Sequence, residues 1–251
     1  MYGRNPEAYV RQARRHKEPI AERVSLSEQA YNVIRERILK GAIPLGAPLS
    51  RRKLAVELGM SLLPVAEALQ ALEADGLVES RPRVGSRVCL PSADEIRERY
   101  VVREALESQA ARLYADKAGS RDKLEMARMA EHLDAMFNRS AVGTDHDRDF
   151  LYAVHSYHME FHLRIAEFAR CRVLQDMIEK NQVLIFNWLF DVAASRPPLP
   201  VRFHRDLIDA LNRGKIEIAD RAMRAHVRYG IETVVEALQS RAPDAPFQRA
   251  K

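Results

Sequence analysis

Between residues 26 and 91 the apolar positions fall into three short helical runs followed by a brief alternation, and from Ser92 onward the spacing stays helical. Ser25-Leu-Ser-Glu28 reads as a capping box opening a helix, AYNVIRERILKG, with Ala30, Val33, Ile34 and Ile38 as its apolar stripe. The turn residues of IPLGAPLS follow, and Ser50 caps a second helix, RRKLAVEL. The stretch Leu54 to Val78, LAVELGMSLLPVAEALQALEADGLV, then predicts two helices joined by a tight turn. Gly59 supplies the left-handed stop, Ser61 the next N-cap, and Pro64 sits in the first turn, where no N–H is missed. Val65, Leu69 and Leu72 form the inner face of this helix, which ends at Gly76. That is a helix-turn-helix. LVESRPRVGSRVCLP predicts two short strands around a Pro/Gly turn, a wing carrying Arg81, Arg83 and Arg87.

Ser92-Ala-Asp-Glu95 is a second capping box and opens a helix to about Lys117, with Ile96, Tyr100, Val101, Leu106, Ala110 and Leu113 inward. Further helices are expected at about 122–138, 147–169, 172–193, 200–213 and 215–240, punctuated by Gly119, Gly143, Pro197-Pro198 and Gly214. The predicted fold is mainly α. It has a basic N-terminal arm over 1–24, a winged helix-turn-helix over 25–91, an all-α helical-bundle effector domain over 92–240 and a disordered tail over 241–251.

Composition narrows the class. With 251 residues, 47% apolar and 30% charged, the chain suits two soluble domains. No apolar run approaches the roughly 20 residues of a membrane-spanning helix, so a cytoplasmic protein without a membrane partner is expected. Cys89 and Cys171 fit no metal or redox spacing. The charge is divided unevenly. Residues 1–92 hold 15 basic and 10 acidic side chains, and the remainder holds 25 of each, so the whole +5 lies on the helix-turn-helix side. Such an asymmetry suits one domain facing phosphate and one that does not. The arm residues Arg4, Arg11, Arg14, Arg15, Lys17 and Arg23 either follow the DNA backbone or form a solvated tail.

The order of these marks resembles the GntR family of bacterial regulators. The resemblance rests on G-x-x-P-L-G-x-x-L after the first helix, L-A-x-x-L-G-x-S, P-V-x-E-A-L-x-x-L-E-x-x-G-L-V, and the wing glycine Gly85. The second half resembles the helical FadR-like (FCD) effector domain through V-R-E-A-L-E at 102–107, F-H at 161–162 and HRDLIDALNRGKIEIADRAMRAH at 204–226. The two matches span about residues 25–238. The resemblance implies a homodimeric repressor, not an enzyme, on a palindromic double-stranded DNA operator. A small carboxylate effector would alter that binding at a site holding a divalent metal through one Asp and three His.

Of the eight histidines, His155, His158, His162, His204 and His226 fall in the helical half. His158 and His162 are one turn apart on one helix face, and the family pattern adds His204 and His226 to the same ion. His158 stands where the family has Asp, so a site of His158, His162, His204 and His226 would favour zinc or nickel, with cobalt and copper next, over manganese or magnesium. The rival reading is that His158 only fills space. Arg103 matches the family's effector-facing arginine, and a guanidinium beside a metal clamps a carboxylate at two points. Alternatively it pairs with Glu104 or Glu107. Asn181 and Trp188 are placed near the effector by helix position. H-M-E-F-H at 158–162 is not the H-E-x-x-H hydrolase pattern, and no general base is placed for catalysis.

A second departure concerns DNA. Leu62 and Ala66 stand where the family carries the two arginines of S-R-T-P-V-R-E-A-L, and no Lys or Arg occurs from Ser61 to Asp75. The helix therefore cannot make bidentate arginine-to-guanine contacts. Two readings stand. Either Ser61, Leu62 and Ala66 meet the bases through thymine methyls while Arg51, Arg52, Lys53, Arg81, Arg83, Gly85 and Arg87 hold the backbone, or the chain is a metal-binding small-molecule sensor with weakened or altered DNA recognition.

Overall fold

A computed structural model describes residues 24–81, 85–142, 148–191 and 198–239, the side chains of 142, 183–191, 238 and 239 excepted. The arm before residue 24, Arg83, the side chain of Trp188 and the tail after residue 239 lie outside the described residues.

Helix α1 (Leu26–Leu39) is capped by the Ser25 hydroxyl, which accepts from Glu28 N–H at 3.1 Å. It buries Ala30, Ile34 and Ile38 as expected and adds Leu39; Val33, on the flank of the stripe, is exposed instead. Ser50 caps α2 (Arg51–Leu58), and Gly59 closes it at φ +63°, a conformation a Cβ would strain. The chain then bends by 115° into α3 (Leu62–Ala74), inside the range of a helix-turn-helix. Ser61 occupies the N-cap position, but its hydroxyl makes no capping bond, contrary to the sequence expectation. Val65, Ala68, Leu69 and Leu72 pack α3 on α1 and α2.

The wing has one strand more than the pattern predicts. Strands β2 (Val78–Arg81) and β3 (Gly85–Val88) form the expected hairpin, and β1 (Pro48–Leu49) adds to β3, giving the order β1-β3-β2. Two residues are too few to show an alternation, so the IPLGAPLS segment reads as pure turn.

Helix α4 (Ala93–Lys117) begins four residues after β3, behind a complete capping box of Ser92 and Glu95. It is the axis of the bundle formed with α5 (Ser120–Val142), α6 (Arg148–Phe168), α7 (Arg172–Asp191), α8 (Phe203–Asn212), α9 (Ile216–Arg228) and α10 (Ile231–Gln239), and packs most extensively on α9. The single helix expected over 215–240 is two, because Gly230 takes φ +73° and turns the chain. On α4, Val101 is exposed rather than inward. The middle of the buried face instead carries Arg103, Glu107 and Ser108. No single described helix is long and apolar enough to cross a membrane.

Because Leu72 is wholly buried where α3 meets α1, Leu72→Ala should lower the stability of the winged unit by about 2–5 kcal/mol, read from urea unfolding.

Candidate metal centre and DNA-reading surface

An ionised side chain in the middle of a bundle needs a partner, and α4 supplies both members of one pair. Arg103 and Glu107 are one helical turn apart, so Arg103 Nε donates to Glu107 Oε1 at 2.7 Å with both groups buried. Burial works against the Glu107 charge, but Arg103 and His162 together hold its carboxyl well below the usual range. Burial likewise opposes the Arg103 charge, and Glu107 overrides it, leaving the guanidinium more firmly protonated than usual. Gln182 of α7 donates to the same Oε1 at 3.4 Å.

The second Glu107 oxygen faces Nδ1 of His162, which directs the opposite nitrogen of that ring inward. There His162 Nε2 lies 3.0 Å from His158 Nε2 and 3.3 Å from His226 Nε2, with Arg103 Nη2 3.5 Å away. His204, at the start of α8, is held in the same manner. Its Nδ1 lies 2.8 Å from Asp134 Oδ1, and the two oxygens of Asp134 also accept the backbone N–H groups of His204 and Arg205. The carboxylate therefore ties down the first turn of α8 and sets the ring orientation at once.

All four predicted histidines converge. One ligand nitrogen from each of His158, His204 and His226 lies within 4.8 Å of the others, with His162 against two of them. His204 is 0% exposed, and its Nε2 has no hydrogen-bond partner. An orphaned buried nitrogen is costly in a finished core and is what an absent ligand leaves behind. Burial is the first cause that pushes His158 and His226 well below the usual histidine range, and the other cationic groups add to it. His204 is lowered too, with Asp134 pulling the other way. Rings kept neutral offer lone pairs to a cation. The donor set fits a transition metal: imidazoles in front, with carboxylates behind two of them fixing tautomer and orientation. Phe137 stacks on His204 and Phe203 on His226, walling the cluster with apolar rings.

His155 is buried against Phe137 and stands outside this cluster of ligand nitrogens. Arg103 pairs with Glu107, the alternative given for it, and its Nη2 also lies beside His162 Nε2. Asn181 is 7% exposed and lines a cavity of about 930 Å³ shared by α1, α3, α4 and α7, while its neighbour Gln182 is the α7 side chain bonded to Glu107. Sequence reasoning missed Asp134, Glu107 as a support, and Gln182. The available signal was an acid on the apolar face of α5, next to Leu133 and one turn after Ala130.

On the winged unit, Arg51, Arg52 and Lys53 are exposed in the first turn of α2. Leu62 is 51% exposed, and Ala66 lies partly exposed one turn on. Arg87 pairs across the wing with Glu79, and Arg81 approaches the same carboxylate at 3.9 Å, so these two serve the sheet as well as its surface. Gly85 takes φ +111° at the start of β3.

A winged helix carrying a helical bundle is the build of a DNA-binding regulator, and comparison with known proteins makes the class definite. Residues 26–88 match the bacterial regulatory proteins of the gntR family, and residues 98–229 match the FCD domain. The chain belongs to the GntR family, whose members are transcription regulators that bind DNA and are not enzymes. The FCD domain family is known for metal binding. A probable D-xylose utilization operon transcriptional repressor of Paenarthrobacter nicotinovorans is 32% identical, covering 82% of this chain and 87% of that one. The repressor RspR of Escherichia coli K12 is 25% identical over 85% of this chain and 91% of its own length. Among solved structures, E. coli McbR/YncC matches with a TM-score of 0.66 over 85% of this chain and 98% of that one, at 24% identity. A GntR regulator from Rhodococcus sp. RHA1 matches with the same TM-score at 23% identity. At that level the two structures speak for the fold alone.

Removing Glu107 would strand a buried guanidinium. Glu107→Ala is expected to cost about 3–5 kcal/mol by chemical denaturation, and Glu107→Leu combined with Arg103→Met to recover most of it.

Proposed function

We propose that the chain is a homodimeric repressor that binds a palindromic operator and responds to a small carboxylate at a metal centre. The metal is held by His158, His162, His204 and His226, and the observation that carries the reading is the convergence of these rings, with the fully buried His204 Nε2 left without a partner. Four imidazole donors suit zinc or nickel better than manganese or magnesium, which prefer oxygen donors. When bound, the ion would supply a Lewis-acid point of attachment for a carboxylate. Arg103 would give the second point, since its guanidinium lies beside His162 Nε2. Glu107 and Asp134 keep His162 and His204 in the tautomers that present Nε2. Asn181, lining the neighbouring cavity, is a contact for an effector that extends from the histidines toward the winged unit.

On DNA, Arg51, Arg52 and Lys53 with the wing residues Arg81, Arg83, Gly85 and Arg87 supply the backbone grip, and Ser61, Leu62 and Ala66 form the face toward the bases. The Ser61 hydroxyl, unused as a cap, is available to a phosphate. Since α4 both carries Arg103 and starts just beyond the wing, a shift of the effector-site arginine would be felt at the reading head. A DNA-binding regulator acts in the cytoplasm, and its helices fit that location. The second reading, a sensor with altered DNA recognition, is favoured by the lack of any cationic side chain in α3.

The full chain should retard its own promoter region, with affinity falling about 10³–10⁵-fold between 50 and 200 mM salt if 6–10 phosphates are contacted. No retarded complex at low salt, with or without candidate acids, would leave only the sensor reading. Zinc or nickel content should be near one per chain in the wild type and absent in His204→Ala, and Asp134→Asn should weaken metal affinity about 10–100-fold by calorimetric titration. Equal metal content in wild type and His204→Ala would remove His204 from the site.

A further inference from the structure

Both acids of α3 and its C-cap Asp75 are tied back into the winged unit. Glu67 Oε2 accepts from the Ser27 hydroxyl at 2.6 Å, Glu73 Oε1 accepts from Ser80 N–H at 3.1 Å, and Asp75 Oδ2 accepts from the Tyr31 hydroxyl at 2.5 Å. The carboxylates that would repel DNA are therefore anchored to α1 and β2. What α3 turns outward in its first turns is hydrocarbon: Leu62 at 51% exposure, Leu63 at 68%, and Ala66 one turn beyond Leu62. Pro64 and Val65, between them in sequence, face the core. An isolated exposed leucine is ordinary, but two adjacent ones at the N-terminal end of a helix-turn-helix second helix occupy the positions that reach base edges. Exposed Arg51, Arg52 and Lys53 stand on the preceding helix, at the end that faces phosphate.

We infer that this protein reads its operator through the 5-methyl groups of thymine, with Leu62, Leu63 and Ala66 as the specificity-determining surface. The inference rests on the proposed DNA-binding role and names the chemistry of its readout. In the major groove the thymine methyl is the one apolar mark a base pair presents, and hydrocarbon side chains recognise it by excluding water. Guanine and cytosine offer only hydrogen-bonding atoms there, which the leucines would desolvate without satisfying, so G·C pairs are rejected as well as A·T pairs being favoured. Binding strength then comes from the cationic side chains and sequence choice from the leucines. The two are separable: the first depends on salt and the second does not.

The test uses duplexes selected by the full chain from a randomised pool, then resynthesised with deoxyuridine at single thymine positions. Deoxyuridine keeps the base pair and lacks only the methyl. At one or more positions in each half-site, affinity should fall about fourfold per methyl, the worth of one buried apolar carbon. In Leu62→Ala/Leu63→Ala the ratio of thymine to deoxyuridine affinity at those positions should drop to near one, with the salt dependence unchanged. Both side chains are exposed, so the fold tolerates the change. Equal affinity for both forms at every position would overturn the inference while leaving the regulator reading in place, as would discrimination that survives in the double variant. A pool from which nothing is enriched at low salt would overturn the regulator reading and this inference with it.

Discussion

The Arg103–Glu107 pair, buried in the middle of α4, is the constraint on which the helical half depends. Two charges out of water are costly unless each finds several partners. Glu107 meets that demand with Arg103 and Gln182 on one oxygen and His162 on the other, so helices α4, α6 and α7 are joined through one carboxylate. Asp134 does the same on the opposite side, linking α5 to the start of α8 through His204. The histidines are thus the inner layer of a network whose outer layer is acidic.

That arrangement alters the meaning of His158. As a replacement for a carboxylate it strips negative charge from the positions that touch a cation. The missing charge reappears one layer out, in Glu107 and Asp134, where it acts through the rings. Part of the Glu107 charge is already balanced by Arg103, so the centre stays more electropositive than one with a directly bound carboxylate. His158 is the most exposed of the four rings, the other three being buried.

The winged half solves a different problem with the same means. Its reading helix lacks cationic side chains and carries two acids with a third at its C-cap, which taken alone argues against DNA. In the folded unit those acids serve as struts to Ser27, Ser80 and Tyr31, and the first turn of the helix is left with Leu62 and Leu63 exposed. Folding converts an unfavourable composition into a surface of defined chemistry.

Much of this was legible from residue order. Capping residues at Ser25, Ser50 and Ser92, the stop at Gly59 and the period of the apolar positions settle most helices, since these are local effects of backbone hydrogen bonding and side-chain spacing. The family pattern placed His158, His162, His204 and His226 together before any coordinate did. The third wing strand, the break at Gly230 and the outward turn of Val101 were not legible, because each depends on which neighbour packs against a short segment. Asp134 was hidden for the same reason. It lies 70 residues from His204 in the chain, and no local pattern tells an acid that will be exposed from one that will be buried against a histidine. The sequence by itself thus determined the elements and the reading helix, written in short-range periodicity and caps, while the family resemblance supplied the candidate ligands. Only the tertiary structure decided which charges are paired and which ring nitrogen is left open, since pairing follows from distances between helices far apart along the chain.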